Sequence, residues 1–345
     1  MNVRDLRIAI VGATGAVGEV ALGLLARRGH PAENIVAMAS SRSAGNELAY
    51  GNGKLTVVET IDGEFRGVDV AFVSATNGVS EQLGRTLPHR GILVIDDSAM
   101  WRMQEDVPLV VPEVNPEDVE AHHRLISIPN CTTTPLVMVL AALRKLARIA
   151  HVTVTTMQAV SGTGRAATEE LMLQTMSWVR GLAIEQKAYP HQIFGNIIPE
   201  VGGVDSAAWG DTKEELKIIL ESRKILHDNE LQVTATCTRV PVAVGHFAVL
   251  NVEFDDLVTV SFTHAVLKGF PGIVVQDDPE KHLYPMPLTA AGRDEVFVGR
   301  IRRDASRPHG LSLVLCCDNL RKGAALNALQ ILDEVVRRDC LKPRQ

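Results

Sequence analysis

The feature that most constrains the fold is an apolar run that meets a glycine-rich turn close to the N-terminus. Residues 6–11 predict a buried strand, and a turn with glycines at positions 12, 15 and 18 follows at once, before a helical pattern of apolar residues. This order is typical of a dinucleotide-binding fingerprint, because glycine lets the main chain approach a pyrophosphate at the helix N-terminus. The cofactor-binding residues expected in this turn are Gly12, Thr14, Gly15, Ala16 and Val17.

The loop after the second predicted strand indicates which cofactor is bound. The strand covers residues 35–39, and an NAD enzyme usually places Asp or Glu directly after it to bind the ribose 2′-hydroxyl. This chain has Ser40, Arg42 and Ser43 there instead. Hydroxyls and a guanidinium suit a 2′-phosphate, which a carboxylate would repel. NADP is therefore the expected cofactor, the alternative being a polar loop without a role.

Two further strands, at residues 68–74 and 92–95, extend the predicted parallel sheet. In an open parallel sheet the loops after the carboxyl ends of the strands carry the ligand contacts. Arg102 comes shortly after the second of these ends and is expected to reach the same crevice, although most exposed arginines are merely solvated.

A single cysteine near the middle of the chain is the candidate nucleophile. Cys131 follows Asn130 and precedes a threonine cluster and an apolar segment with helical spacing. Thr132 or Thr133 can cap that helix, so the free N–H groups at its start favour a thiolate. The same N–H groups, with the Asn130 amide, would hold an oxyanion beside the sulfur. The alternative is a buried cysteine that acts as a small hydrophobic residue.

The second half of the chain has a different pattern. Residues 151–160 alternate and are rich in Val and Thr, as in a half-exposed antiparallel strand, and strands return at 232–238 and 249–254. A glycine-containing turn, a helix at 166–182 and an irregular region at 183–212 lie between them. A second domain with an antiparallel sheet follows from this pattern. The last segment is amphipathic and is expected to pack back on the first domain.

Composition excludes several classes of protein. The 345-residue chain carries 35 basic and 41 acidic residues, a net charge of −6, with no basic cluster of the kind that binds nucleic acid. Its five cysteines form neither a CxxC pair nor a metal-binding pattern with histidine, and their odd number fits a reducing cytoplasm better than a disulfide framework. The N-terminal apolar run is too short for a signal sequence or a membrane span.

Eight motifs in one order then identify a family. The chain contains GATGAVG, SSRSAG, VPLVVPEVN, PNCTTT, QAVSGTGRAA, EELK, RVPVAVGH and DNLRKGAALNALQ. Together they resemble aspartate-β-semialdehyde dehydrogenase of the bacterial NADP-dependent type along essentially the whole chain. The resemblance implies an α/β fold with a Rossmann-like NADP-binding domain at 1–130, an α+β catalytic and dimerisation domain at 131–320, and a C-terminal helix within 321–345. It also implies a homodimer or a dimer of dimers.

The resemblance assigns roles to particular positions. Cys131 is similar to the family's nucleophile and His246 to its acid/base catalyst, for which a pKa near neutrality is expected. Gln158 is similar to the residue that orients the substrate and its thioester. The implied substrate-binding residues are Arg239 for the carboxylate, Glu214 for the amino group, and Arg102 with Lys217 for phosphate. The implied cofactor contacts of the second domain are Ser161, Gly162, Gly164 and Asn319.

The implied reaction is self-consistent. A thiolate adds to the aldehyde, the alkoxide passes hydride to NADP+, and phosphate then attacks the thioester to give β-aspartyl phosphate. The reverse, reductive direction is expected in cells, in the biosynthesis of lysine, threonine and methionine. The chain departs from the family pattern at Asp97, where asparagine is usual, and at Phe247 and Ala248, where Ser-Glu is usual.

Four alternatives remain at this point. Glyceraldehyde-3-phosphate dehydrogenase shares the cysteine followed by threonines but pairs it with an NAD-type acid, which this chain lacks. N-acetyl-glutamyl-phosphate reductase shares the glycine-rich start but not the RVPVAVGH arrangement. A divergent relative that acts on another semialdehyde or acyl acceptor, or a weakly catalytic regulatory dimer, would explain the departures. The retained Cys131 argues for an enzyme.

Overall fold

The structure is a computed structural model, and it describes residues 2–206 and 209–341. Its contacts divide the chain into two compact units. The first unit comprises Met1–Asn130 and Ala324–Gln345, and the second comprises Cys131–Gly323.

The first unit contains a parallel sheet in which every strand except the short edge strand Val58–Glu59 is buried on both faces. Its strands are β1 (Ile8–Val11), β2 (Ile35–Ala39), β3 (Glu47–Tyr50), β4 (Gly53–Thr56), β5 (Val58–Glu59), β6 (Val70–Val73), β7 (Leu93–Asp96) and β8 (Leu125–Ser127). Among the described residues, six of these strands form the sheet in the order β5-β2-β1-β6-β7-β8, with every neighbouring pair parallel, while β3 and β4 form a separate hairpin. Helices α1 (Ala16–Arg27) and α2 (Asn77–Thr86) follow β1 and β6.

The strand order places a switch point beside β1. The chain moves from β1 to β2 on one side and later to β6 on the other, so the carboxyl ends of β1 and β6 open a crevice between them. Gly12 directly follows β1 with a φ of +87°, and a Cβ there would lie 2.1 Å from the Ser74 carbonyl oxygen. Only glycine fits this turn, which confirms the predicted strand, turn and helix.

The second unit is built on a larger mixed sheet. Its helices are α3 (Thr133–Leu143), α4 (Arg165–Val179), α5 (Lys213–Ile225), α6 (Val260–Lys268) and α7 (Pro287–Ala290). Its strands are β9 (Ile149–Gln158), β10 (Gln232–Arg239), β11 (His246–Phe254), β12 (Ile273–Val275), β13 (Val296–Arg303) and β14 (Gly310–Cys317). Within the part of the chain that is described, they pair in the order β10-β9-β11-β14-β13-β12.

The fold class is confirmed, and the sheet of the second unit adds one detail to it. The pairs β9–β11, β11–β14 and β13–β14 are antiparallel, but β10–β9 and β12–β13 are parallel. Two helices and a long loop separate β9 from β10, and a crossover of this kind returns the chain in the same direction. The sheet is therefore mixed and not purely antiparallel.

Helix α3, which was predicted from an apolar segment with helical spacing, has no broadly exposed face. Nearly all of its side chains are buried, because it contacts α5, α6 and β14. A helix that is apolar on all sides lies inside the core.

After the second unit ends at Gly323, the chain returns to the first unit. A π-helical turn at Arg321–Ala325 leads into α8 (Leu326–Arg337). Leu326, Leu329 and Leu332 join the core that contains β1, and Asn327 Nδ2 donates to the Val110 carbonyl oxygen at 2.9 Å. No described helix has the length and apolar character that a membrane span requires.

Candidate active site

Three strand ends meet at one edge of the second unit's sheet. Arg239 at the end of β10 is the register partner of Gln158 at the end of β9, and His246 begins the antiparallel neighbour β11. All three side chains are buried and project from the same face, because inward-facing residues alternate along these strands. The sequence predicted each of these residues separately, and the sheet brings them together.

Cys131 lies at the N-terminus of α3. Of the described cysteines, Cys131 is half-buried and the other four are buried. Thr132 is the N-cap residue, as one of the two predicted caps, but its backbone is helical (φ −91°, ψ −32°) and its side chain makes no capping hydrogen bond. In an α-helix, the N–H groups of the first turn have no acceptor within the helix itself. This geometry supports a negative charge on sulfur or on an adjacent oxygen.

The sulfur of Cys131 faces His246. The distance between Cys131 Sγ and His246 Nε2 is 3.3 Å, and the Ala159 N–H donates to the other ring nitrogen, Nδ1, at 3.0 Å. Because Nδ1 accepts a hydrogen bond, the proton of the neutral ring resides on Nε2 and points at the sulfur. The main chain of Ala159 thus selects the tautomer that donates to Cys131.

The surroundings of His246 oppose its protonation. Burial, and after it the nearby Arg239 guanidinium, lower the pKa of His246 well below its ordinary value. The side chain is 2% exposed, so a charged imidazolium would lose its hydration. The expectation of a pKa near neutrality is therefore wrong for this state of the chain, because sequence alone gave no measure of the burial.

Arg239 and Asn319 are held by the turn that follows β9. Arg239 Nη1 donates to the Ala159 carbonyl oxygen at 2.6 Å. Asn319 Nδ2 donates to Ser161 Oγ at 3.0 Å, and its Oδ1 accepts the Gly245 N–H at 2.9 Å. Gly162 belongs to the same turn, and Gly164 is the N-cap of α4.

The two candidate substrate ligands on α5 contact each other. Lys217 Nζ donates to Glu214 Oε2 at 3.0 Å, with the lysine side chain 30% exposed and the glutamate 7% exposed. A capping box between Thr212 and Glu215 fixes the start of this helix. The two side chains form an ion pair, and each of them can instead bind a ligand group of opposite charge.

The remaining cysteines are poor candidates for the nucleophile. Burial raises the pKa of Cys237 and of Cys316 to about 12, and raises that of Cys317 well above its ordinary value. Cys340 is also buried, in the first unit. A thiolate is the reactive form, so these four thiols are far less reactive than an exposed one.

The first unit contains a crevice of about 650 Å³ at its switch point. Its walls include Gly12, Thr14 and Gly15 from the first turn and Ser40 and Ser41 after β2. Gly15 is the N-cap of α1 and has no side chain to occupy the first-turn N–H groups, to which Ala16 and Val17 belong. These features fit a dinucleotide pyrophosphate.

The loop after β2 holds the other predicted cofactor residues. Ser41, Arg42 and Ser43 form a short 3₁₀ turn, and the Arg42 side chain is exposed. Glu59, which the sequence analysis did not single out, also lines the crevice, as the register partner of Ala39 at the end of β2. A carboxylate therefore lies beside the end of β2, although none follows this strand directly in the sequence.

Arg102 lies in the first unit beside Asp97. Its Nη2 donates to the Asp97 main-chain oxygen at 2.7 Å, while the Asp97 carboxylate is 4.0 Å away and accepts from Ser74 Oγ at 3.0 Å. Arg102 and Asp97 are therefore joined through a hydrogen bond to the main chain of Asp97. Asn130, the last residue of this unit, is buried and precedes Cys131 directly.

Comparisons with known proteins agree with this geometry. The family described as semialdehyde dehydrogenase, NAD binding domain, matches residues 7–122, and the semialdehyde dehydrogenase dimerisation domain matches residues 140–322. An aspartate-semialdehyde dehydrogenase of Aquifex aeolicus is 44% identical over 96% of this chain and 98% of the relative. The chain belongs to the aspartate-semialdehyde dehydrogenase family. The Bacillus subtilis member is 42% identical over 96% of this chain and 98% of its own length.

Solved structures of the family have the same fold. Aspartate semialdehyde dehydrogenase II of Vibrio cholerae, with 35% identity, superposes with a TM-score of 0.92 over 96% of this chain and 98% of its own. A complex of that protein with ASA gives 0.91. The Candida albicans enzyme with NADP, 27% identical, gives 0.74 over 97% of this chain and 99% of its own. The chain is accordingly an oxidoreductase that acts on an aldehyde with a nicotinamide cofactor.

Two residues beside the candidate groups were not predicted from the sequence. Ala159 acts through its main chain, which carries no signal in the residue type. Glu59 sits on a two-residue strand that is too short to produce a recognisable pattern. The available signal was the position of Glu59 directly after Val58, at the end of a strand. Strand ends beside a switch point contact the ligand.

Proposed function

We propose that the chain catalyses the reversible, NADP-dependent reductive dephosphorylation of β-aspartyl phosphate to aspartate β-semialdehyde through a thioester on Cys131. The products would serve the biosynthesis of lysine, threonine and methionine. Membership in the family supports the general reaction. The details rest on the chain's own residues.

The observation that carries this proposal is the contact between Cys131 and His246. The Nε2–H of a neutral imidazole, 3.3 Å from Sγ, stabilises a thiolate without the cost of a buried imidazolium. The N-terminus of α3 acts in the same direction. A thiolate that is stabilised but still half-exposed is the form that attacks an acyl carbon.

The bond changes on Cys131 then balance in both directions. The thiolate displaces phosphate from the acyl phosphate and forms the thioester. A bound nicotinamide cofactor supplies the hydride in the reductive direction and accepts it in the oxidative one. The alkoxide on the former carbonyl carbon collapses to the aldehyde and the Cys131 thiolate, so no net proton transfer is needed on sulfur.

In this scheme His246 serves the alkoxide as a hydrogen-bond donor. The same Nε2–H that faces the sulfur is available to the oxygen on the attached carbon, together with the first-turn N–H groups and the Asn130 amide. The acid/base role expected from the family would require the hydrogen bond from Ala159 to Nδ1 to open. The geometry therefore favours stabilisation of charge by His246 over proton exchange.

The remaining roles follow the residues that surround this pair. We assign the substrate carboxylate to Arg239, its amino group to Glu214, orientation of the acyl group to Gln158, and phosphate to Arg102 and Lys217. The burial of Arg239 beside His246 supports the first assignment, since a buried guanidinium binds a carboxylate strongly. We assign NADP to the first-unit crevice and to Ser161, Gly162, Gly164 and Asn319, with Ser40, Arg42 and Ser43 reading the 2′-phosphate.

The domain roles and the assembly belong to the same proposal. Residues 1–130 would bind NADP, 131–320 would carry catalysis and the dimer interface, and 321–345 would complete the first domain. A homodimer, or a dimer of such dimers, is supported by the matched dimerisation domain. It is also supported by the exposed apolar side chains of Met172, Leu173 and Trp178 on α4, which are 60 to 62% exposed.

Turnover with defined substrates tests this function. The purified chain should reduce NADP+ with aspartate semialdehyde only when phosphate is present. It should prefer this aldehyde to N-acetyl-glutamate semialdehyde and to glyceraldehyde 3-phosphate by at least about tenfold in kcat/KM, because only the free amino group pairs with Glu214. A preference for either other aldehyde, or turnover independent of phosphate, would overturn the assignment.

A further inference from the structure

A single turn holds two of the central side chains of the second unit. The turn comprises Ala159 and the 3₁₀ residues Val160–Thr163. The Ala159 N–H binds His246 Nδ1 at 3.0 Å, and the Ala159 carbonyl oxygen binds Arg239 Nη1 at 2.6 Å. A shift of the main chain at Ala159 therefore changes the position of both side chains.

The same turn closes over the His246 ring. A Cβ added to Gly162 would lie 3.1 Å from His246 Nε2 and 3.1 Å from Arg239 Nη1. The main chain of Gly162 is thus close to the atom that faces the Cys131 sulfur. Loosening the turn would let water approach Nε2.

A second segment, residues 185–198, is fastened beside this turn by α4. Glu170 accepts the N–H groups of Lys187 (2.9 Å) and Ala188. Gln174 accepts those of Ile193 and Phe194 at 3.1 and 3.0 Å, and donates to the Glu185 carbonyl oxygen at 2.8 Å. Both anchoring side chains are buried, so the segment has a defined position on α4.

The segment reaches the turn through one side chain, Tyr189. Its ring packs against a small core that includes Val160, Ala167 and Ile193. Its hydroxyl donates to Thr163 Oγ1 at 2.9 Å and lies 3.5 Å from the Val160 carbonyl oxygen. Burial raises the pKa of Tyr189, so the hydroxyl stays a donor at neutral pH.

We propose that Tyr189 is a positioning residue that fixes the Ala159–Thr163 turn and, through it, the aim of His246 at Cys131 and the position of Arg239. The hydrogen bonds of its hydroxyl go to Thr163 and Val160 in the turn, so it acts on these two groups through the main chain. The inference rests on the roles proposed above for Cys131 and His246.

Removing the hydroxyl should act on the thiolate. Among the described residues, the charged and titratable groups beside His246 include Cys131 before α3, Arg239 on β10 and Cys317 on β14, which is the register partner of His246. A looser turn aims Nε2–H less well at the sulfur, so a higher pH is needed to form the thiolate. A merely structural residue of the small core would lower thermal stability without this effect.

The pH dependence of Cys131 alkylation measures this directly and needs no substrate. Iodoacetamide labelling, with the modified peptide quantified by mass spectrometry, should be compared in wild type, Tyr189→Phe and Thr163→Val. The matched control is Tyr284→Phe, since the Tyr284 hydroxyl makes no hydrogen bond within the described residues. The kcat for the aldehyde and the melting temperature complete the comparison.

Tyr189→Phe and Thr163→Val should each raise the alkylation midpoint by about 0.5 pH unit and lower kcat about three- to tenfold. Changes of this size are expected when part of one hydrogen bond is lost. The double variant should be no worse than either single one, because both remove the same bond. Tyr284→Phe should match wild type. An unchanged alkylation midpoint in Tyr189→Phe, with or without a lower kcat or melting temperature, would overturn the proposal.

The proposed function can fail separately from this inference. If wild type does not turn over aspartate semialdehyde but the alkylation midpoint still shifts in Tyr189→Phe, the positioning role stands and the substrate assignment falls. If wild type turns over and the midpoint does not move, the reverse holds.

Discussion

At the scale of single residues, His246 shows how much of the chemistry comes from main-chain contacts. The sequence predicted a catalytic histidine, and the structure places Nε2 beside the Cys131 sulfur. The tautomer depends on an N–H group 87 positions away in the chain, and the low pKa depends on burial. Neither is visible in residue types, because any residue except proline offers the same N–H group.

Asp97 carries the first prediction at this scale. Its carboxylate lies 4.0 Å from Arg102 Nη2 and would repel a phosphate dianion bound there. Asp97→Asn keeps the shape and the Ser74 contact but removes the charge. We expect the KM for phosphate to fall about three- to tenfold, since charge effects near a surface amount to about 1 kcal/mol, while the KM for the aldehyde changes less.

The matched control is Asp106→Asn, an exposed acid of the same unit. It should leave both KM values as they are. A phosphate KM that stays constant or rises in Asp97→Asn would show that Asp97 does not face the phosphate and that its contact with Ser74 has only a structural role.

At the scale of elements, periodicity predicted where strands lie but not how they pair. The alternation along β9 and β10 indicates that one face of these strands is more exposed than the other. The same alternation occurs whether the neighbouring strand is parallel or antiparallel, so it does not predict the direction of pairing. The parallel β10–β9 pair follows from the long crossover between them. The hairpin β3–β4 and the short β5 were missed, because these strands are largely exposed and lack the continuous apolar run that marks β1, β6 and β7.

The elements β2 and β5 carry a prediction about the choice between NADP and NAD. Arg42 follows β2 and Glu59 ends β5, so opposite charges flank the Ala39 strand end. Arg42→Ala should lower kcat/KM for NADP about ten- to hundredfold, the loss of a charge-assisted contact, with little effect on NAD. Glu59→Gln should raise the preference for NADP over NAD, because it removes a carboxylate that repels the 2′-phosphate.

Arg27→Ala provides the control for this pair. Arg27 is exposed at the last turn of α1, about 16 Å along the helix axis from the glycine turn. It should leave both cofactors unaffected. Equal use of NAD and NADP by wild type would show that Arg42 does not read the 2′-phosphate, and an unchanged ratio in Glu59→Gln would remove Glu59 from cofactor recognition.

At the scale of the whole molecule, family membership and local chemistry give the same conclusion from independent observations. The relatives cover nearly all of the chain, whereas the thiol chemistry follows from the second unit by itself. The α/β class, the glycine turn and the nucleophile were predictable from sequence because each depends on neighbouring residues. The pairing of Cys131 with His246 was predictable only through the family, since it joins residues 115 positions apart.

The most direct test of the account is to trap the acyl group on the protein. Wild type incubated with aspartate semialdehyde and NADP+ but without phosphate should carry one acyl adduct, which peptide mass spectrometry should locate on Cys131. Cys131→Ser should form none and lose turnover by about a thousandfold or more, because serine gives no alkoxide at neutral pH. Cys340→Ala, which removes a buried thiol of the first unit, should behave as wild type. An adduct on Cys237, or turnover that survives Cys131→Ser, would contradict the account.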